Sequence, residues 1–234
     1  MAGPLMPTPP RAAPSPSLGR HLAILGGLFA VLWVALAIRP FDRHDWALEN
    51  VLVAVVVPCV VFTYYRMPLS KLSYTLIFVF LCLHEVGAHY TYAEVPYDRW
   101  FEALTGSTFN QLVGWKRNNF DRVIHFAYGL LLAYPVRELV VPLAGVQGFW
   151  SYFLPLDLTM SSSSVFELFE WAAAEIFGGD LGIAYLGTQG DVWDAHKDMA
   201  LASAGALVTM VAVALVDRRR SRAAALKAEG RGSG

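Results

Sequence analysis

The sequence predicts an all-α polytopic membrane protein, a bundle of about six transmembrane helices with both termini in the cytoplasm. Of its 234 residues, 56% are hydrophobic and only 16% are charged, whereas soluble domains carry about 25% charged residues. The apolar residues also form blocks long enough to cross about 30 Å of hydrocarbon. A net charge of −1 provides no basic surface for nucleic acid. We therefore expect membrane lipids, and no nucleic acid, as partners.

The chain divides into three parts. Residues 1–20 are rich in Pro and Ser and predict a disordered tail, residues 21–216 form the transmembrane domain, and residues 217–234 form a basic cytoplasmic tail. The first span is too long for a signal-peptide core and more spans follow it, which favours an uncleaved helix over a signal peptide. The predicted spans are residues 21–38, 48–65, 72–92, 120–141, 148–177 and 193–216.

The fifth span is the least apolar. Pro155, Asp157 and the serines at 161–164 interrupt it, and such a helix is tolerated only where it faces protein or water. The sequence leaves open whether this span is one bent helix or two pieces.

The two cysteines predict no special chemistry. Cys59 and Cys82 lie in different apolar runs without CxxC spacing, so neither a disulfide nor a thiolate metal site is indicated. We expect two inert thiols in the core.

The distribution of Lys and Arg orients the bundle. With six spans, eleven of the eighteen basic residues fall on the side of the termini and seven fall on the other side. Cytoplasmic loops carry the excess of Lys and Arg. Both termini are therefore predicted to be cytoplasmic.

Polar side chains cluster at four helix ends that this topology brings to the outer face. The third span ends there with Glu85 and His89, and the fourth begins there with Asp121 and His125. The fifth span ends there with Glu167 and Glu170. The sixth begins there with Asp191, Asp194 and Asp198. Each set has i, i+3 or i+4 spacing, which places its members on one helix face. We expect the four sets to form one polar site near the outer face.

Helical angles predict which other residues join this site. Tyr92 falls on the face of Glu85, whereas His84 lies about 100° away. His196 lies about 140° from Asp191 on the helix. We therefore expect Tyr92 on the face of the site and leave His84 and His196 out of the set of direct ligands.

The residue types predict a divalent metal ion. Carboxylates and imidazoles without thiolates are ligands for zinc, manganese, iron or magnesium, and the sequence does not distinguish these metals. The order His84-Glu85-x-x-x-His89 lacks the His-Glu-x-x-His spacing of zincins. The expected ligands are Glu85, His89, His125, Asp194 and Asp198. Four further residues are expected either to hold these ligands in place or to act as a general base: Asp121, Glu167, Glu170 and Asp191.

Three functions fit this site. The leading hypothesis is a metal-dependent membrane enzyme, hydrolytic in type, that acts on a lipid or another amphiphile. The second is a proton- or ion-coupled transporter that uses the same carboxylates and histidines. The third is a structural ion-pair core, in which cations such as Lys197 and Arg122 neutralise two of the carboxylates. The substrate and the oligomeric state are not predicted.

Four motifs carry a resemblance to a known family. They are HEVGAHYTY (84–92), NNFDRVIHF (118–126), FELFEW (166–171) and TQGDVWDAHKDM (188–199). With them, residues 20–216 resemble the YjdF-type family of uncharacterised bacterial inner membrane proteins. The resemblance implies a multi-span protein of the bacterial inner membrane and brings no established activity. The motifs are also distantly similar to those of VanZ-like membrane proteins, from which no residue role is taken.

Overall fold

The computed structural model describes residues 15–179, 182, 186 and 188–232, and within these ranges it contains helices and turns but no strand. The all-α class is therefore confirmed. The helices are α1 Pro16–Leu36, α2 Arg43–Arg66, α3 Lys71–Tyr90, α4 Tyr97–Thr105, α5 Phe109–Val113, α6 Phe120–Ala144, α7 Trp150–Phe177 and α8 Asp194–Gly232, with a 3-10 turn at Tyr92–Glu94.

Side-chain caps define where the first three helices begin. Ser15 precedes α1 and its hydroxyl accepts the backbone N–H of Leu18 at 3.3 Å. The carboxylate of Asp42 accepts the N–H of His44 at 2.7 Å before α2, and Ser70 accepts the N–H of Ser73 at 3.2 Å before α3. Each cap satisfies an N–H that has no partner within its own helix.

The first three helices alternate in direction. His21 near the start of α1 contacts Thr75 near the start of α3 through a 3.0 Å hydrogen bond. His89 at the end of α3 donates from Nδ1 to the carbonyl of Leu36 at the end of α1, at 2.7 Å. Helices α1 and α3 are therefore parallel, and α2, which joins their opposite ends, runs the other way.

Helices α6, α7 and α8 continue this alternation. At one end of the bundle, which we call the site end, His125 of α6 lies 3.6 Å from Glu167 near the end of α7. At the opposite end, Arg137 of α6 pairs with Asp217 of α8 at 3.1 Å, and Tyr152 of α7 donates to the same carboxylate at 3.0 Å. The ends of α3 and α7 and the beginnings of α2, α6 and α8 thus lie at the site end.

Helix α7 is continuous through Pro155. Its 28 residues extend over about 42 Å at 1.5 Å per residue, which answers the question left open by the sequence. Among the described residues, five helices are long and apolar enough to cross a membrane, namely α1, α2, α3, α6 and α8, and α7 is outside that set. Because α7 contacts α6 at the site end and α8 at the opposite end, it runs beside them over the same depth.

Helices α6 and α8 approach most closely at two glycines. A Cβ built on Gly129 of α6 would lie 1.9 Å from the carbonyl oxygen of Ala202, and one built on Gly205 of α8 would lie 2.2 Å from that of Phe126. Ala133 and Ala206 are fully buried in the same contact. Small residues let two membrane helices pack backbone against backbone.

Several predicted boundaries differ from the structure. Helix α1 begins at Pro16, inside the segment predicted as a tail, and residues 1–14 lie outside the described residues. Helix α2 begins at Arg43, before the predicted residue 48. Helix α8 continues into the basic tail because Ala223, Ala224 and Ala225 are strong helix formers. Cys59 is exposed on α2 rather than buried in the core.

Candidate functional site

The site is centred on three side chains from two helices. Asp121 and His125 lie one turn apart on α6, and Asp198 lies on the first turns of α8. One ligand atom from each of the three lies within 4.8 Å of the others, and Nε2 of His125 is 3.5 Å from Oδ1 of Asp121. Ligand atoms on one tetrahedral zinc ion are about 3.4 Å apart, so a small inward movement would let the three share an ion. We call these residues the metal group.

Helix α7 adds a third carboxylate, which is the fourth candidate ligand. Oε1 of Glu167 lies 3.6 Å from Nε2 of His125, and the next turn brings Glu170 to the same region. Asp198 is only 2% exposed, and its Oδ1 has no hydrogen-bond partner among the described residues. Oε1 of Glu167 likewise has none. Buried carboxylate oxygens without a donor are costly, so these atoms point to a cation or a proton at this position.

The other two carboxylates predicted at the start of the sixth span, Asp191 and Asp194, are paired with basic side chains. Asp194 pairs with Arg117, and it also receives Arg122 at 3.2 Å. Asp191 pairs with Arg122 and Lys197. The sequence anticipated that Arg122 and Lys197 could neutralise carboxylates, but it did not single out Arg117. We call these five residues the ion-pair rim.

Asp191 lies in the turn before α8, because the helix begins at Asp194. Its Oδ1 accepts the backbone N–H of Trp193 at 3.1 Å. The Lys197 ammonium, this backbone N–H and the Arg122 guanidinium hold the pKa of the Asp191 carboxyl well below its usual range. Asp191 is thus a permanent negative charge that holds the side chains of Arg122 and Lys197 in place.

His84 is buried at the site end, outside the metal group. Helix α3 stops at Tyr90, and Thr91 and Tyr92 have φ of 55° and 36°, so the chain turns back and the Tyr92 hydroxyl reaches Nδ1 of His84. Nε2 of His84 contacts the carbonyl of Glu49 at 3.1 Å. A carbonyl only accepts, so Nε2 carries the proton and Nδ1 accepts from Tyr92. Burial raises the pKa of the Tyr92 phenol, which keeps it a donor.

A second acidic set lies on α2 and α3. Asp45, Glu49 and Glu85 are 1%, 4% and 0% exposed. Both oxygens of Glu85 and Oδ1 of Asp45 have no hydrogen-bond partner in the part of the chain that the structure describes, although the Asn50 side chain lies close to Glu85. The sequence reasoning missed Asp45 and Glu49. Their i, i+4 spacing at the start of the second span was the available signal.

The structure therefore brings together some predicted site residues and separates others. His125 and Asp198 form the metal group with Asp121, which was predicted as a partner or base. His89 is directed to the carbonyl of Leu36, and Asp194 is held by two arginines. Glu85 lies in the second acidic set. The rings of His196 and Trp193 are 5.3 Å apart between their centres.

Comparisons with known proteins agree with this architecture. Residues 21–219 match the family described as "Predicted membrane protein (DUF2238)". The "Inner membrane protein YjdF" of Escherichia coli (strain K12) is 37% identical over 186 residues, which cover 79% of this chain and 85% of the relative. No solved structure matches the chain. The predicted resemblance and the multi-pass inner-membrane localisation are confirmed, and the chain belongs to this family of uncharacterised membrane proteins.

Proposed function

We propose that this protein is a metal-dependent membrane enzyme that hydrolyses a lipid or another amphiphile. The observation that carries the proposal is the metal group, in which Asp121, His125 and Asp198 offer ligand atoms within 4.8 Å of one another. The buried, unpartnered oxygens of Asp198 and Glu167 support it, because a divalent cation would satisfy both.

The ligand set of the proposal is revised from the sequence expectation. His125, Asp121 and Asp198 are the ligands, and Glu167 is the fourth. Asp194 holds Arg117 and Arg122 beside the ligands, and these arginines keep that edge of the site from becoming still more negative. One imidazole with carboxylates is a set that zinc, manganese or iron accepts.

A bound divalent cation would supply Lewis acidity and lower the pKa of water at neutral pH. In the hydrolysis, the oxygen of one water molecule forms a bond to the carbonyl or phosphoryl centre, and the bond to the leaving oxygen breaks. Glu170 takes the proton from the attacking water, since it lies one turn beyond Glu167 and outside the ligand set. The same proton then passes to the leaving oxygen, so the reaction consumes only water.

The position of the site favours an amphiphilic substrate. The metal group lies within the first turns of two membrane-length helices, near one face of the bilayer. A substrate that is partly embedded in the bilayer reaches this depth without leaving its hydrocarbon environment.

The test detects hydrolysis without knowledge of the substrate. Purified protein is incubated with lipid vesicles from a bacterial inner membrane in water enriched in ¹⁸O, and the lipids are analysed by mass spectrometry. Wild type and Asp157→Asn, an isosteric change at an exposed position of α7, should each produce a lipid fragment with one ¹⁸O. His125→Ala and Asp198→Asn should not. The absence of a labelled product with every protein would refute the enzymatic proposal.

A proton- or ion-coupled transporter is the second candidate. The observation in its favour is the second acidic set, whose buried carboxylates extend the polar region away from the metal group toward α2. It predicts proton-coupled flux in vesicles that Glu85→Gln abolishes, together with no ¹⁸O-labelled product. Replacing a carboxylate of the metal group would then abolish this flux as fully as replacing Glu85 on α3.

A further inference from the structure

An apolar groove opens between the first two helices. Helices α1 and α2 both pack on α3 and leave between them a groove of about 580 Å³, within the range of about 300–1,000 Å³ that ligand pockets occupy. Trp33 lies at its site end, and Tyr64 and Tyr65 lie at the opposite end. Its walls between these ends are almost entirely aliphatic or aromatic.

The groove leads to the second acidic set. Val53 and Leu81 line its wall. Glu49 precedes Val53 by one turn of α2, and Glu85 follows Leu81 by one turn of α3. Residues four apart share a helix face, so both acids lie on the lining faces just beyond the site end of the groove.

The acids at this end have few hydrogen-bond donors, since the Asn50 side chain is the donor group that lies close to Glu85. Glu85 is fully buried, and neither of its oxygens has a hydrogen-bond partner within bonding distance among the described residues. Oδ1 of Asp45 is also buried without such a partner. The indole N–H of Trp33 does not supply one, because it donates to Asn50 at 2.6 Å. The Asn50 amide in turn donates to the carbonyl of Trp46 at 2.9 Å.

We infer that the groove holds the hydrocarbon chain of an amphiphile whose head donates hydrogen bonds to Glu85 and its neighbours. A buried carboxyl oxygen without a partner is satisfied by accepting a hydrogen bond, so the matching head carries an ammonium or hydroxyl group. An anionic head is disfavoured because it would meet Asp45, Glu49 and Glu85. This inference deepens the proposed function by naming the class of amphiphile that the site takes.

Two adjacent glycines of α1 provide a matched test of the groove. Gly26 lines the groove and Gly27 does not, and a Cβ on either would meet nothing within 4 Å. Gly26→Phe should therefore fill the groove without displacing the backbone. Gly27→Phe adds the same ring to the same helix outside the groove and serves as the control.

Binding is measured by native mass spectrometry with three probes that share a twelve-carbon chain. They are dodecylamine, dodecyl maltoside and dodecyl sulfate, added to protein in a polyoxyethylene detergent. Wild type and Gly27→Phe should bind one molecule of dodecylamine or dodecyl maltoside per chain, at least tenfold more tightly than dodecyl sulfate. Dodecylamine tests for recognition of an ammonium donor, and dodecyl maltoside tests for recognition of hydroxyl donors. Gly26→Phe should lose at least tenfold in affinity for both.

Glu85→Gln tests the head. It should reduce the preference for dodecylamine over dodecyl sulfate at least tenfold while the groove stays open. Equal binding of all three probes to wild type, or equal binding to Gly26→Phe and Gly27→Phe, would overturn the inference. All measurements are made in EDTA, so the result does not depend on metal. Selective binding without ¹⁸O-labelled products would leave the groove assignment standing and refute only the enzyme.

Discussion

The contact between α6 and α8 determines the geometry of the metal group, and Gly129→Ala should disrupt it. Gly129 lies one turn after His125, and its partner Ala202 lies one turn after Asp198. The new Cβ would lie 1.9 Å from the carbonyl oxygen of Ala202 and 2.6 Å from the backbone nitrogen of Ala206. Both atoms belong to the backbone of α8, so no side-chain rotation relieves the overlap.

The helices must move apart by about 1.5 Å to restore ordinary contact. Overpacking of this kind costs about 1–3 kcal/mol, and the gain in helix propensity from Gly to Ala returns about 0.5–1 kcal/mol. We expect a net loss of about 1–2 kcal/mol in the free energy of unfolding. Because Asp198 would move away from Asp121 and His125, the metal content should fall as well.

The assay is thermal unfolding in detergent, paired with metal analysis of the same samples. Gly27→Ala is the control, because its Cβ meets nothing within 4 Å and the variant should be as stable as wild type or slightly more stable. If Gly129→Ala unfolded at the wild-type temperature and kept its metal, the close packing of α6 on α8 would not control the site.

Two further predictions concern the surroundings of the metal group. Tyr92→Phe should lower the free energy of unfolding by about 1–2 kcal/mol, since Nδ1 of His84 would be left buried without a donor; an unchanged unfolding temperature would show that this hydrogen bond is not formed. For Asp191, whose folded pKa is lowered by Lys197, the Trp193 N–H and Arg122, the carboxylate stabilises the protein above its unfolded pKa of about 3.9. That contribution is lost as the pH falls toward the folded pKa. The difference in unfolding temperature between wild type and Asp191→Asn should therefore be constant from pH 7 to about pH 5 and shrink below about pH 4, whereas a difference that grows on acidification would contradict the ion-pair rim.

The sequence was sufficient to predict the six long helices and the convergence of their ends, but not the short helices α4 and α5. Hydrophobic blocks define spans because each must cross the same thickness of hydrocarbon, and alternation of direction then places the ends of the third and fifth spans beside the starts of the fourth and sixth. Two contacts agree with this convergence. His125 lies 3.6 Å from Glu167, and the rings of Tyr92 and Phe120 are 6.1 Å apart between their centres.

The partners within the site could not be predicted from one sequence. Which carboxylate meets an arginine depends on the rotation of each helix about its axis, and this rotation is set by packing such as that at Gly129 and Gly205. Helical angles grouped Tyr92 with Glu85 because they assumed a helix through residue 92. The left-handed conformation of Thr91 ends the helix at Tyr90. Tyr92 therefore turns back to contact His84 instead of continuing the face of Glu85.

The most direct test of the central claim is the metal content of protein purified without added metal, measured by inductively coupled plasma mass spectrometry. Wild type and Asp157→Asn should each contain about one divalent ion per chain, and His125→Ala and Asp198→Asn should lose at least nine-tenths of it, on the order of a tenfold or greater loss of affinity. A chain without metal, or equal metal in all four proteins, would contradict the assignment of Asp121, His125 and Asp198 as a metal site.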